Sequence, residues 1–432
     1  MLKIVNREKL ENRILPYKMV LKGTSTMLEL ADRILSDTGI PALVLGLGEL
    51  EKVLIDCIEK AGDGLPILGY HFSLPSEYLY AFDCVPVCIE AVSFMLAALL
   101  PDGVEKYFDK INAYGHPYHT CSAQKAVMGM SLDDLIQFDA IITPTSPCDN
   151  TMASYPFFKL KKKFPIVIAD MPFQHDKESY KYYGNEIRRA LEQLGKIIGQ
   201  EPDYKRMRKH IEIENNVNQL QLDIFDLKRA IPCPVENMYN GMSSAAQIFM
   251  AGRQENVNFF KGVLEVSKER LKAGVHHGGE EKIRTIWPYM LTYFSLEMCE
   301  WFDRELGLSI LFDVFNYSFT DNVEVHKGLD TLFEGIGRKA MNLPMVRQSS
   351  EFYYSFIEEM VQYAKDFNVD CFIYTSSIAC KQFGSVPQIL REALKDELGI
   401  PMLVIDLDVA DKRITHPDKF KEKVKLFVET LM

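Results

Sequence analysis

Short apolar runs bounded by Pro, Gly or Asp alternate along most of the chain with longer stretches in which apolar residues return every third or fourth position. A brief continuous run predicts a strand buried on both faces, and the helical spacing predicts a helix with one buried side. Leu65-Pro66-Ile67-Leu68-Gly69-Tyr70 is the first strand so marked, followed by a polar turn and a helix from about Ser76; Val85–Ile89 is the second strand. A loop rich in His, Tyr and Gly then runs from Asn112 to Thr120, and a helix starts at Cys121. Residues 1–64 read mainly as helix, with helical spacing in Met27–Ile34 and Leu50–Ile58.

One pattern occurs twice. Asp139-Ala-Ile-Ile-Thr-Pro-Thr-Ser-Pro-Cys148 is an apolar run that ends in small residues and a Cys; after a helix comes Phe164-Pro165-Ile-Val-Ile-Ala-Asp170. Far downstream, Asp370-Cys-Phe-Ile-Tyr-Thr-Ser-Ser-Ile-Ala-Cys380 has the same form and leads, through a helix, to Ile400-Pro401-Met-Leu-Val-Ile-Asp406. Strands alternating with helices in this way predict parallel sheets covered on both faces. The expected fold class is therefore α/β, with two similar parallel-sheet domains of flavodoxin- or Rossmann-like form. The predicted layout is a helical N-terminal region (1–64), a first α/β domain (65–200), a helical connector (201–275) and a second α/β domain (276–432). The second domain opens after the loop Ala273-Gly274-Val-His-His-Gly278-Gly279, with strands expected at Lys282–Trp287 and Leu308–Val314. Ligand sites of open parallel sheets lie outside the carboxyl ends of the strands, where Cys148 and Cys380 both fall. If the domains face each other, these two cysteines meet in the cleft between them.

Composition narrows the classes. A chain of 432 residues with 47% hydrophobic and 25% charged residues is an ordinary globular protein, long for one core. A net charge of −11 leaves no broad basic surface, so no nucleic-acid partner is expected. The longest apolar stretch, Val85 to Leu100, is interrupted by Pro86 and Glu90, and the first residues form no secretory h-region; no membrane association and a cytoplasmic location are expected. Nine cysteines in such a chain point to buried thiols, metal ligands or catalytic groups rather than to disulfides.

Cys121, Cys148 and Cys380 are the candidates for chemistry. Cysteine thiolates hold iron–sulfur clusters, and three ligands leave one iron open; a buried small hydrophobe is the other role open to each thiol. Cys57, Cys84, Cys88, Cys233, Cys299 and Cys371 sit inside apolar patterns or beside prolines and read as core. His116-Pro-Tyr-His119-Thr-Cys121 lacks a zinc signature's second ligand pair and reads as a loop over the site. Lys125, four residues after Cys121 on one helix face, is placed to hold a negative ligand. Arg284 is suited either to a ligand's phosphate or carboxylate or to a structural salt bridge. Gly46-Leu-Gly48-Glu departs from a dinucleotide fingerprint, and no phosphate-binding G-x-x-x-x-G-K-[ST] loop occurs, so the chain is not expected to hydrolyse a nucleotide.

Thr120-Cys121-Ser-Ala-Gln-Lys-Ala-Val-Met-Gly129, Phe138 through Cys148-Asp149, Pro165 through Pro172-Phe173, Arg284-Thr-Ile-Trp287, Val369-Asp370 through Cys380, and Pro401 through Asp406-Leu-Asp408 with Asp411 and Arg413 together resemble subunits of the 2-hydroxyacyl-CoA dehydratase and benzoyl-CoA reductase family. The resemblance runs from about residue 65 onward. It implies one [4Fe–4S] cluster per chain on Cys121, Cys148 and Cys380, a homologous second cluster-bearing subunit, a separate ATP-hydrolysing activator and a CoA-thioester substrate. The activity implied is radical elimination of water from an (R)-2-hydroxyacyl-CoA through a ketyl radical anion. The alternatives are a subunit of an ATP-dependent aromatic acyl-CoA reductase, or a non-catalytic cluster or electron-relay protein. A branch with a larger double cluster carries a Cys in the first α/β turn; here that turn is Gly69-Tyr-His71-Phe-Ser73-Leu-Pro75, so a single cluster is expected. His71 and Ser73 become the candidates to touch the open iron or the substrate, with Lys125 and Arg284 as further substrate contacts.

Overall fold

The computed structural model describes residues 13–14, 17–26, 41–99, 104–317, 320–350 and 353–431. The expected helix at Met27–Ile34 lies outside them. The helix Pro41–Gly62 buries Leu50, Val53, Leu54 and Cys57 on one side, as their spacing requires.

Two four-stranded sheets follow, each wholly parallel. The first contains β1 (Ile67–Tyr70), β2 (Val85–Cys88), β3 (Ala140–Pro144) and β4 (Ile166–Ala169); the second contains β5 (Ile283–Ile286), β6 (Leu308–Ile310), β7 (Cys371–Ser377) and β8 (Met402–Leu407). Their orders, β2-β1-β3-β4 and β6-β5-β7-β8, are the same permutation. The central strands are lost from solvent on both faces: Ala140, Ile141 and Ile142 in β3, and Cys371 through Tyr374 in β7. This is why their sequences are continuous apolar runs rather than alternating ones.

Two elements differ from expectation. The stretch from Ser76 forms a 3-10 turn, Ser76–Ala81, begun by Pro75, whose carbonyl accepts from the Tyr78 N–H. β6 stops at Ile310 rather than Val314. The Asp313 carboxylate accepts from the Phe315 N–H and from Asn316 Nδ2 and turns the chain out of the sheet, although the Leu311 and Trp287 amides continue the ladder irregularly.

The region between the sheets is built from the helices Lys177–Ile198, Tyr204–Leu227, Met238–Phe249 and Gln254–Ala273. The halves pack directly on one another. The helix Leu329–Met341 crosses Lys177–Ile198 where both present glycine; a Cβ on Gly184 would lie 1.9 Å from the Phe333 carbonyl oxygen, and one on Gly337 2.2 Å from that of Tyr180. Lys339, on the same helix, reaches across to Glu77 at 2.7 Å in a buried ion pair. No helix among the described residues is long and apolar enough to cross a membrane.

Candidate functional site

In each sheet the chain runs outward in one direction from β1 to β2 and in the other from β1 to β3, and likewise for β5. Loops at the carboxyl ends of such a central pair diverge and leave a crevice. Cys148 lies in the loop after β3 and Cys380 in the equivalent loop after β7, while Cys121 stands just before the helix Ser122–Leu132 that leads into β3. All three line one cleft between the halves. All nine cysteines are free thiols; these three are half-buried, on a wall, and the other six are buried.

Each of the three residues directly precedes a helix. The backbone angles of Cys148 (φ −93°, ψ 109°) and Cys380 (φ −95°, ψ 105°) are nearly the same, so the two loops present their thiols alike. Backbone N–H groups of Ala123, of Thr151 and of Gln382 and Phe383 are aimed at the sulfurs of Cys121, Cys148 and Cys380 respectively, and the Tyr289 hydroxyl is a further donor to Cys380. Burial, the largest influence, nonetheless raises all three pKa values, that of Cys148 to about 11, and each thiolate would feel the others. The site thus provides donors for sulfur anions but not the positive charge to sustain them.

The three loops are tied together. Asn150, two residues after Cys148, donates at 2.9 Å to the carbonyl of Ala379, the residue before Cys380. Gln382, two residues after Cys380, donates at 2.6 Å to the carbonyl of Pro147, the residue before Cys148. These bonds are one interaction repeated by the internal symmetry. Asn150 Oδ1 also accepts from the Cys121 N–H at 3.2 Å, so one side chain touches all three loops. Ser122 bonds the buried Asp408 carboxylate after β8, which also accepts from the amides of Ala410 and Asp411.

The cleft has a polar and an apolar side. Glu90, at the start of the helix Ile89–Leu99, is buried; its Oε1 accepts from Gln124 Nε2 (3.2 Å) and the Tyr155 hydroxyl (3.1 Å), and its Oε2 from the Phe72 N–H (3.2 Å). Gln124 Oε1 is buried in the same wall without a partner among the described residues. Phe94, Ile248, Met290 and Phe315 form the apolar side. The one trace of Glu90 in the sequence is that it interrupts an otherwise apolar stretch.

Four expected site residues are placed elsewhere. His71 and Ser73 are buried and bond each other, Nδ1 to Oγ at 2.5 Å, but it is Phe72 between them that lines the cleft. Burial lowers the His71 pKa against the opposing pull of Glu90, which lies 3.8 Å from Nε2 and is the ring's link to the cleft. Lys125 is near Cys121 but turns its ammonium to the Tyr118 carbonyl at 2.6 Å, holding the loop of residues 112–120 rather than the cleft. Arg284 takes the structural of its two roles: its guanidinium is buried and spent on Glu281 and on the carbonyls of Phe367, Ala230 and Lys228. A further group with metal-ligand potential, His277, Glu300 and Asp303, lies outside the cleft; both ring nitrogens of His277 are already engaged, by Arg270 and Glu300.

Comparison with known proteins adds to this geometry. The model of the family described as 2-hydroxyglutaryl-CoA dehydratase, D-component, matches residues 72–431. The chain is 22% identical over 339 residues to the lactoyl-CoA dehydratase subunit alpha of Anaerotignum propionicum, covering 73% of this chain and 76% of the relative. It is 21% identical over 310 residues to the (R)-phenyllactyl-CoA dehydratase alpha subunit of Clostridium sporogenes, covering 68% and 71%.

Proposed function

Because the chain belongs to the 2-hydroxyglutaryl-CoA dehydratase D-component family, we propose that it is the iron–sulfur subunit of a hydro-lyase that removes water from a 2-hydroxyacyl-CoA, acting with a homologous second subunit. The observation that carries this reading is the meeting of Cys121, Cys148 and Cys380, from both halves, on one cleft wall. The donor set fits a [4Fe–4S] cluster: three half-buried free thiols, each at a helix start with a backbone N–H turned to its sulfur, and no fourth cysteine in the cleft. Held by these three thiols and supplied with an electron by a separate ATP-hydrolysing activator, such a cluster would provide the one-electron reducing power for radical elimination of water from the thioester.

The chain's own residues would do the rest. Net reaction removes the 2-hydroxyl and a β-hydrogen as water and is redox-neutral, so a proton must be taken and given. Glu90 is the carboxylate the cleft offers for that, its oxygens held by Gln124, Tyr155 and the Phe72 amide. Gln124 Oε1, an acceptor lacking a donor, is suited to the substrate hydroxyl. Phe94, Ile248 and Phe315 keep water from the reacting carbons. Asn150 and Gln382 hold the thiols in register. Losing both clamps, in Asn150→Ala with Gln382→Ala, is expected to weaken iron retention against a chelator by about 10- to 100-fold, the usual scale for groups behind a metal ligand; unchanged retention would remove the clamp from the account.

Purified without air, the chain is expected to hold about four irons and four sulfides, lost on exposure to oxygen. A 2-hydroxyacyl-CoA ester is expected to alter the visible or paramagnetic-resonance spectrum of that material. Enoyl-CoA should form only with the second subunit, the activator, ATP and a strong reductant together. Turnover by the isolated chain without ATP would overturn the reading, and a spectrum indifferent to every CoA ester would make the chain a relay protein instead.

A further inference from the structure

Behind the cysteine cleft lies a second cavity, sharing Ala91, Phe94, Ile248 and Phe315 with it. Its walls include Met95, Leu99, Met242, Phe249, Tyr293 and Leu296, and no acidic or basic side chain among the described residues. Its two hydroxyls are already engaged: Tyr293 bonds Ser244 at 3.2 Å and Asp313 at 3.4 Å, and Ser244 bonds the Asn240 carbonyl at 3.0 Å. A charged chain end placed there would be stripped of water and left without a partner. A third cavity meets the cleft at Phe72, Ile248 and Phe315 and does contain a cation, Lys339. That ammonium is already paired with Glu77 at 2.7 Å, with Glu214 buried nearby, so it is not free to meet a substrate carboxylate.

We infer that the apolar cavity receives the acyl chain, and that the substrate is a 2-hydroxyacyl-CoA with a bulky uncharged chain, aryl or branched alkyl, rather than a dicarboxylic one such as 2-hydroxyglutaryl. This rests on the proposed function and sets the substrate class for the same cleft. The polar side of the cleft, Glu90 and Gln124, takes the hydroxyl end, and the shared Phe94 and Phe315 mark the passage into the apolar cavity. Its walls are aliphatic and aromatic side chains from the helices Ile89–Leu99 and Met238–Phe249, the lining against which an uncharged aryl or branched alkyl chain packs.

Calorimetric titration of the full chain with four ligands tests it: CoA, (R)-lactoyl-CoA, (R)-2-hydroxy-4-phenylbutanoyl-CoA and (R)-2-hydroxyglutaryl-CoA. The phenyl ester is expected to bind about 30-fold more tightly than the glutaryl ester, a discrimination within reach of an apolar pocket facing a charge. Ala245→Trp or Ala98→Trp, each filling the cavity from a different helix, should bring the phenyl ester down to the affinity of the lactoyl ester while circular dichroism stays unchanged. Equal or tighter binding of the glutaryl ester, or phenyl-ester affinity untouched in both folded variants, would overturn the inference and leave the proposed function standing. Should no ester outbind CoA itself, the dehydratase reading of the cleft falls, and this inference with it.

Discussion

Chains carrying Cys380→Ser, reconstituted without air, are expected to retain less than about a tenth of the iron held by the unaltered protein. A serine hydroxyl holds its proton far more tightly than a thiol and is a harder ligand for iron. Cys380 is also the cleft's one cysteine from the second half, so its loss leaves the site with thiols from the first half alone. The matched control is Cys371→Ser. Its thiol is buried in β7 beside the Thr285 hydroxyl, away from the cleft, and a serine there has a ready partner. Iron content should be unaffected. Full iron in the Cys380→Ser chain, measured by colorimetric assay, would sink the cluster assignment.

The second large effect concerns stability. Lys339→Met is expected to destabilise the chain by about 3–5 kcal/mol, read from the shift of its chemical-denaturation midpoint, because it strands charge already removed from water. Burial by itself lowers the Lys339 pKa, but Glu77 and Glu214 outweigh it and hold the ammonium above the usual lysine value. A raised folded pKa means that the stabilisation is complete below the unfolded lysine pKa and fades as pH climbs through the folded one. The deficit should therefore be constant across the neutral range and shrink only in strong alkali. Adding Glu77→Gln should restore part of it, since the neutral amide needs no counter-charge. A midpoint within error of the unaltered chain would show that the pair contributes nothing net.

What the sequence disclosed and what it withheld follow a physical line. The parallel strands were legible because a strand covered on both faces must be apolar throughout, as Ala140–Pro144 and Cys371–Ser377 are. The three cysteines stood apart from the six core ones because two of them end matching strand motifs. In the turn after β1 the sequence pointed to His71 and Ser73, whereas the side chain that lines the cleft there is Phe72, between them. For Arg284 the sequence left two roles open, since besides Glu281 its partners at Lys228, Ala230 and Phe367 are backbone carbonyls, which any residue carries. The Asn150–Gln382 reciprocity needs both loops in space before it means anything.

The division of the thiols between the halves also bears on how the protein is made. Cys380 lies 232 positions after Cys148 (380 less 148). At ribosomal rates, roughly 10–50 s separate the appearance of the second thiol from that of the third. Through that interval the nascent chain displays Cys121 and Cys148 on a surface whose other wall has not been synthesised. If the three thiols hold a cluster as proposed, metal loading would be a late event in biogenesis, and an aerobic ribosome would hand over two unprotected sulfurs before their third companion exists.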